Sequence, residues 1–305
     1  MSATDYSDEE LAALDEFALL PQNAEQAGVS GPLPPVHRVD LGGISALHWG
    51  QGPAEALFLH GGGQNAHTWD TVILGLGLPS VLAVDLPGHG RSAWREDGDY
   101  GPKLNADTLR PVLRELAPHP RLVVGMSLGG LTALRLAATE PVLVPELVLV
   151  DVTPSAPERH EEMTRAQLGA VALVQGERTF PTFAAMVDEA VTTSPHRSRE
   201  SLRRGVFHNA KQLDDGTWTW RYDSLTRGDG YSNFNGLWDD VPSITMPTTL
   251  VRGAKSYFVN DDDASAFAAG APGFQRTHIV ADSGHSVQGD QPAALVDILR
   301  GVLGG

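Results

Sequence analysis

The stretch Leu122-Val123-Val124-Gly125-Met126-Ser127-Leu128-Gly129-Gly130 decides the fold. A continuous apolar run, LVVGM, ends at a serine framed by glycines, and a helix-forming segment follows from Leu128. Such a run suits a strand buried on both faces. A Gly-x-Ser-x-Gly pattern between a strand and a helix sets its serine on a sharp turn. The strained turn pushes the hydroxyl out at the carboxyl edge of a sheet, and Gly125 and Gly129 let the flanking elements pack closely. The first N–H groups of the helix then point toward any negative charge that develops there. Ser127 is therefore the candidate nucleophile, the N–H of Leu128 a candidate oxyanion donor, and Met126 a candidate pocket residue.

Working outward, further apolar runs stand at 56–60 (ALFLH), 80–86 (SVLAVDL) and 146–152 (ELVLVDV). Two alternating segments, 37–41 and 44–50, flank Gly42-Gly43 and read as a hairpin. Helical patterns at 66–75, 104–116 and 128–139 separate the strands. This alternation predicts βαβ units and a mostly parallel sheet. It stops at Pro154. Residues 155–243 carry helical patterns at 158–173, 180–191 and 197–209, then a Trp-rich stretch at 217–225, with no clear core strand. The strand pattern returns at 248–253 and 277–283, with helices at 263–269 and 291–302. The expected organisation is an N-terminal extension (1–35, with a helix from 8 to about 20), a core (36–153 and 244–305) and a helical cap or lid (154–243).

Three more motifs follow strands. His60-Gly61-Gly62-Gly63 lets a loop fold close to the serine; Gly62 is the favoured second oxyanion donor, with Gly63 beside it. His60 reads as a structural residue of that loop. Asp85-Leu86-Pro87-Gly88-His89-Gly90-Arg91-Ser92 reads as a tight structural turn, with no catalytic role for His89. Ser283-Gly284-His285-Ser286 puts an imidazole on the loop before the last helix, from where it can act as general base.

Taken together, these motifs resemble the α/β-hydrolase superfamily, in its capped, cofactor-free branch, over residues 36–305. The resemblance implies an eight-stranded, mostly parallel sheet flanked by helices, a helical cap insertion, and a Ser-His-acid triad. The acid is where the sequence departs from the usual pattern. After the strand at 248–253 the chain reads Arg252-Gly253-Ala254-Lys255-Ser256-Tyr257, and Tyr257 stands where an aspartate is usual. Asp261, Asp262 and Asp263 follow, in a position suited to capping a helix. Asp151 ends the preceding strand at the same sheet edge as Ser127, a placement that resembles lactone-cleaving members. Asp151 is the expected acid, with the three later aspartates as alternatives.

Composition narrows the remaining classes. The 305 residues carry 38 acidic and 22 basic side chains, a formal net charge of −16, which disfavours nucleic acid and anionic membranes as partners. There is no cysteine, so thiol chemistry and Cys-zinc sites are excluded. No signal peptide or membrane-spanning run is evident, making a cytoplasmic location the default. No metal or organic cofactor is called for. Trp69, Trp94, Trp218 and Trp220 are candidate pocket residues, suiting a small hydrophobic ester or lactone. Hydrolysis of a carbon–carbon bond in a diketone-like substrate, haloperoxidase-like chemistry and non-catalytic small-molecule binding are the alternatives.

Overall fold

The computed structural model describes residues 6–168, 171, 173–174, 178–194, 197–223 and 234–304. Eight strands form one sheet: β1 (Val36–Leu41), β2 (Ile44–Gly50), β3 (Ala56–Leu59), β4 (Ser80–Val84), β5 (Leu122–Met126), β6 (Leu147–Val150), β10 (Thr248–Gly253) and β11 (Phe274–Val280). Their spatial order is β1-β2-β4-β3-β5-β6-β10-β11. The β1–β2 and β2–β4 pairs are antiparallel and the other five are parallel. The hairpin and buried strands thus stand where hydrophobic patterning put them. β11 was expected three residues later. It is an outer strand of the sheet and three of its seven residues are exposed, so its composition lacks the apolar run that marks the inner strands.

Side chains alternate between the sheet's two faces. Leu57, Leu59 and Val123 point into one apolar layer, packed by α4 (Pro102–Leu116), α5 (Leu128–Thr139) and α10 (Asp261–Gly270). Phe58, Val124 and Met126 point into the other, covered by α3 (Asp70–Leu76) and α12 (Pro292–Leu303). A short helix α11 (Val287–Asp290) precedes α12. The register pairs Met126 with Val150. The next residues, Ser127 and Asp151, therefore leave the sheet side by side at its carboxyl edge.

Between β6 and β10 lie α6 (Ala156–Glu162), α7 (Arg165–Leu168), α8 (Phe183–Thr193) and α9 (Arg199–Asn209). The expected helix at 158–173 is broken at Met163 and Thr164, and its end falls partly outside the described residues. The block also holds what helical patterning did not foresee: a three-stranded antiparallel sheet of β7 (Thr179–Phe180), β9 (Trp218–Trp220) and β8 (Ala210–Gln212), in that order. These strands are two or three residues long, too short to show an alternation. The block has its own apolar cluster, built on Phe180, Phe183, Met186, Val206, Trp218 and Trp220. Part of the Trp-rich stretch, 224–225, lies outside the described residues.

The N-terminal segment is not one helix but two, α1 (Asp8–Ala13) and α2 (Leu20–Gln26). Ser7 and Glu10 form a capping box at the start of α1, and Pro21 sits in the first turn of α2, where its missing N–H costs no bond. Leu11 is buried in the inserted block's cluster, while Leu20 and Ala24 are buried against the main sheet. Among the described residues no helix is long and apolar enough to cross a membrane.

Candidate active site

Ser127 follows β5 with φ 50° and ψ −120°, a strained conformation for a residue with a side chain. The turn closes only because Gly129 follows: a Cβ there would come within 2.3 Å of the Leu59 carbonyl oxygen. Leu128 is the first residue of α5, so its N–H has no acceptor within the helix. Gly62 lines the same cavity as Ser127, on the loop after β3.

Asp151 follows β6 and also has a positive φ, 52°. It is fully enclosed, and three donors converge on its carboxylate. Oδ1 accepts from the Gly253 N–H at 3.0 Å; Oδ2 accepts from the Ser256 hydroxyl and from His285 Nδ1 at 2.7 Å. Such saturation is what a charge removed from water requires. A carboxylate only accepts, so Nδ1 carries the imidazole proton and Nε2 presents its lone pair. Nε2 is buried and makes no hydrogen bond among the described residues. The ring is held flat against Phe258, centroids 3.7 Å apart and planes 17° from parallel. Gly253 permits the approach of the two loops, since a Cβ there would lie 2.1 Å from the Gly284 carbonyl oxygen.

The later aspartates are engaged elsewhere. Asp263 accepts from the Asn260 N–H in a capping box and from Arg159 at 2.9 Å. Asp261, itself exposed, pairs with Arg252 at 2.7 Å, and Asp262 is exposed. Tyr257 is 56% exposed. Ser256, inside the segment that lacks the usual aspartate, and Phe258, just after it, carry no motif of their own that marks these contacts.

His60 is a structural residue. Its Nε2 accepts from the Leu86 N–H at 2.9 Å and its Nδ1 donates to the Gly61 carbonyl at 2.7 Å, which ties the glycine loop to the next strand end. Burial, with His89 adjacent, pushes its pKa down to about 3, so it is neutral. The Asp85 turn is structural too: its carboxylate accepts from the N–H groups of Ala66 and Arg91 and from Arg38.

A cavity of about 130 Å³ opens over Ser127 and His285. Gly62, Gly63, Met126 and Trp220 line it. The other three tryptophans do not. Trp69 ends a short 3₁₀ turn that drives its ring into the sheet layer against Phe58, 5.1 Å between centroids. Trp94 lies 43% exposed on the surface under Lys211. Trp218 sits two residues from Trp220, about 7 Å along the strand, where it packs on Phe183 and donates to Asp8. Tyr222, Gln64 and Gln288, none of them foreseen, do line the cavity. A second, apolar arm of about 60 Å³ adjoins Ser127 and Gly62, walled by Leu128, Leu131, Pro157, Val174 and Phe258.

One cluster has the composition of a metal site: His67, Asp70 and His208 bring ligand atoms within 4.8 Å of one another. Both nitrogens of His67 are already engaged, Nδ1 with Asp70 at 2.8 Å and Nε2 with Glu16 at 3.0 Å. Burial opposes charge on His67, but Asp70 and Glu16 outweigh it and raise its pKa to about 9. At neutral pH it holds protons where a metal needs lone pairs. The cluster is an ion network, joined through Glu16 to Arg38 and Arg91.

The sequence model of the alpha/beta hydrolase family matches residues 56–298. The chain is 63% identical over 297 residues to the esterase Rv0045c of Mycobacterium tuberculosis, covering 97% of this chain and 98% of that one. A solved structure of that esterase, described together with its transition-metal inhibition, superposes with a TM-score of 0.87 over 96% of this chain and all of the other. The lipase LipV of the same organism is 28% identical over 270 residues, 83% of this chain and 94% of its own. Strand order, the serine turn and these matches agree: the chain belongs to the alpha/beta hydrolase family.

Proposed function

We propose that the chain is a serine hydrolase of carboxylic esters, with Ser127 as nucleophile, His285 as general base and Asp151 as the residue that orients His285. One observation carries this reading: His285 donates Nδ1–H to buried Asp151 at 2.7 Å, its Nε2 makes no hydrogen bond among the described residues, and His285 and Ser127 line one cavity. The esterase name of the 63% identical relative supports it.

In the proposed cycle Ser127 Oγ attacks the ester carbonyl as its proton passes to His285 Nε2. The N–H groups of Leu128 and Gly62 receive the oxyanion; one such donor is typically worth about 2.7–4 kcal/mol. The tetrahedral adduct collapses, the C–O bond to the alcohol breaks, and His285 returns its proton to the departing oxygen. Water, deprotonated by His285, then releases the acid from Ser127. A lactone is an intramolecular ester and follows the same steps. The inserted block, which supplies Trp220, Tyr222 and Val174 to the cavity wall, acts in this proposal as the lid.

A fluorophosphonate probe tests the reading. Stoichiometric labelling at Ser127, blocked by an ester substrate, is expected. An unlabelled Ser127 in folded protein would overturn the assignment and favour a non-catalytic binding protein.

A further inference from the structure

The wall of the main cavity runs against the composition of the chain. The protein carries 38 acidic and 22 basic side chains. Yet no aspartate or glutamate lines this cavity among the described residues, while Arg197 and Arg204 both do. Hydroxyl and amide groups of Ser194, Ser201, Gln26 and Asn23 surround them.

Neither guanidinium is neutralised by a tight ion pair. Arg197 lies flat on the backbone of Gly289, four residues after His285, where a Cβ would come within 2.8 Å of its Cζ. It donates to Ser201 Oγ at 3.0 Å, and its Nε has no hydrogen-bond partner among the described residues. Asp290 Oδ1 stands 3.7 Å from that Nε, beyond hydrogen-bond reach, while its Oδ2 accepts from the Gly284 N–H at 2.8 Å. Arg204 donates to Gln26 and meets Glu200 at 3.5 Å, on a side chain that is 59% exposed. The two arginine side chains are only 18% and 8% exposed. Burial lowers the pKa of both, and the charge of Arg204 adds to the effect on Arg197. Buried cations with incomplete hydrogen bonding are costly unless an anion completes them.

We infer that the substrate carries an anionic group, a carboxylate or a phosphate-like group, which Arg197 and Arg204 hold in the polar arm of the cavity. Ser127 then cleaves an ester elsewhere on the same molecule. The apolar arm, beside Leu131 and Phe258, takes the uncharged part. This assignment rests on the esterase reading of Ser127 and sharpens it: the preferred ester is a charged one, such as the monoester of a dicarboxylic acid.

Matched esters test this. The mono-p-nitrophenyl ester of glutarate and p-nitrophenyl pentanoate differ by a carboxylate in place of a methyl group. A p-nitrophenyl 4-phosphonobutanoate gives the phosphate-like arm, and a second pair carries the carboxylate on the alcohol side. The expected result is a kcat/KM about 10- to 100-fold higher for one charged ester than for its neutral partner, the range of one or two charge-assisted hydrogen bonds. Arg197→Gln and Arg204→Gln should each cut that ratio at least about tenfold, and Lys at either position should restore part of it. Because the ratio is taken within one preparation, a partly unfolded variant does not disturb it. Faster cleavage of the carboxylate or of the phosphonate identifies the anion. Cleavage of neutral esters without preference for any charged one overturns the subsite and leaves the esterase reading standing. A preference kept by both Gln variants overturns it too. Cleavage of none of the esters, with Ser127 unlabelled, overturns both.

Discussion

The carboxyl edge of the main sheet and the inserted block over it contribute to one cavity by different means. At the edge, Ser127 and Asp151 each follow the last residue of a strand, and the strand register makes them neighbours. Both carry positive φ, so their positions are held by backbone geometry rather than by side-chain packing. In the block, Arg197, Arg204 and Trp220 come from a turn, a helix and a three-residue strand, and share no sequence pattern. Chemistry is fixed where hydrogen-bonded register fixes it; the shape of the pocket depends on how separate elements pack. Changes at the edge should therefore act on turnover, and changes in the block on substrate preference.

The strongest way to break this comparison is Ser127→Ala. Loss of a nucleophile of this type typically costs about 10⁶-fold in kcat. Ester turnover should fall to background while circular dichroism is unchanged, and appreciable turnover in purified variant would refute the role. Asp151→Asn comes next. It keeps the shape but lets the wrong imidazole tautomer form, a change that costs about 10⁴-fold in a serine protease. At least a hundredfold loss in kcat is expected here. Asp261→Asn, which alters only an exposed pair with Arg252, should stay near wild type. The reverse ranking would move the acid to the later strand.

Trp69→Ala sharpens the contrast from the side of stability. The ring is wholly enclosed against Phe58, so denaturant titration should show a loss of about 3–5 kcal/mol. Trp220→Ala should instead change the ratio of rates between esters more than the stability of the whole protein. The smallest effect concerns pH. His67 is held up to about 9 against 6.5 in an unfolded chain, so its ion pairs stabilise fully below about pH 6.5 and fade as pH rises toward 9. Glu16, which burial would raise, is instead drawn down to about 2 by His67, Arg38 and Arg91, and contributes above about pH 4.5. Asp70, fully enclosed, is pushed upward by burial and offsets part of the gain. The melting temperature should fall between pH 6.5 and 9 by the equivalent of roughly 1–3 kcal/mol, and His67→Gln should flatten that slope.

These contrasts match what the chain discloses on its own. The buried strands, the serine turn and Asp151 were legible because each is a local signal: an apolar run, glycines at fixed offsets, an acid one step past a strand. The bounds of outer strand β11 and the existence of the three short strands of the block were not, because half-wet or very short strands lack periodicity. The role of Ser256 depends on a contact with Asp151 105 positions away, and that of Phe258 on its ring stacking against His285, which no local pattern encodes. Tryptophan content misled for a related reason. Trp69 and Trp218 fill packing space because a large flat ring lowers free energy in either environment, and composition alone does not say which one it occupies.

The two helices at the N-terminal end work as a seam between the halves. Leu11 is stitched into the block's own apolar cluster, Leu20 and Ala24 into the sheet's layer, and Glu16 into the ion network between them. Asn23 and Gln26 form part of the cavity wall itself. Unpicking this seam would cost more than a terminus: it would strip one wall from the cavity, and leave the two halves free to melt separately rather than as one unit.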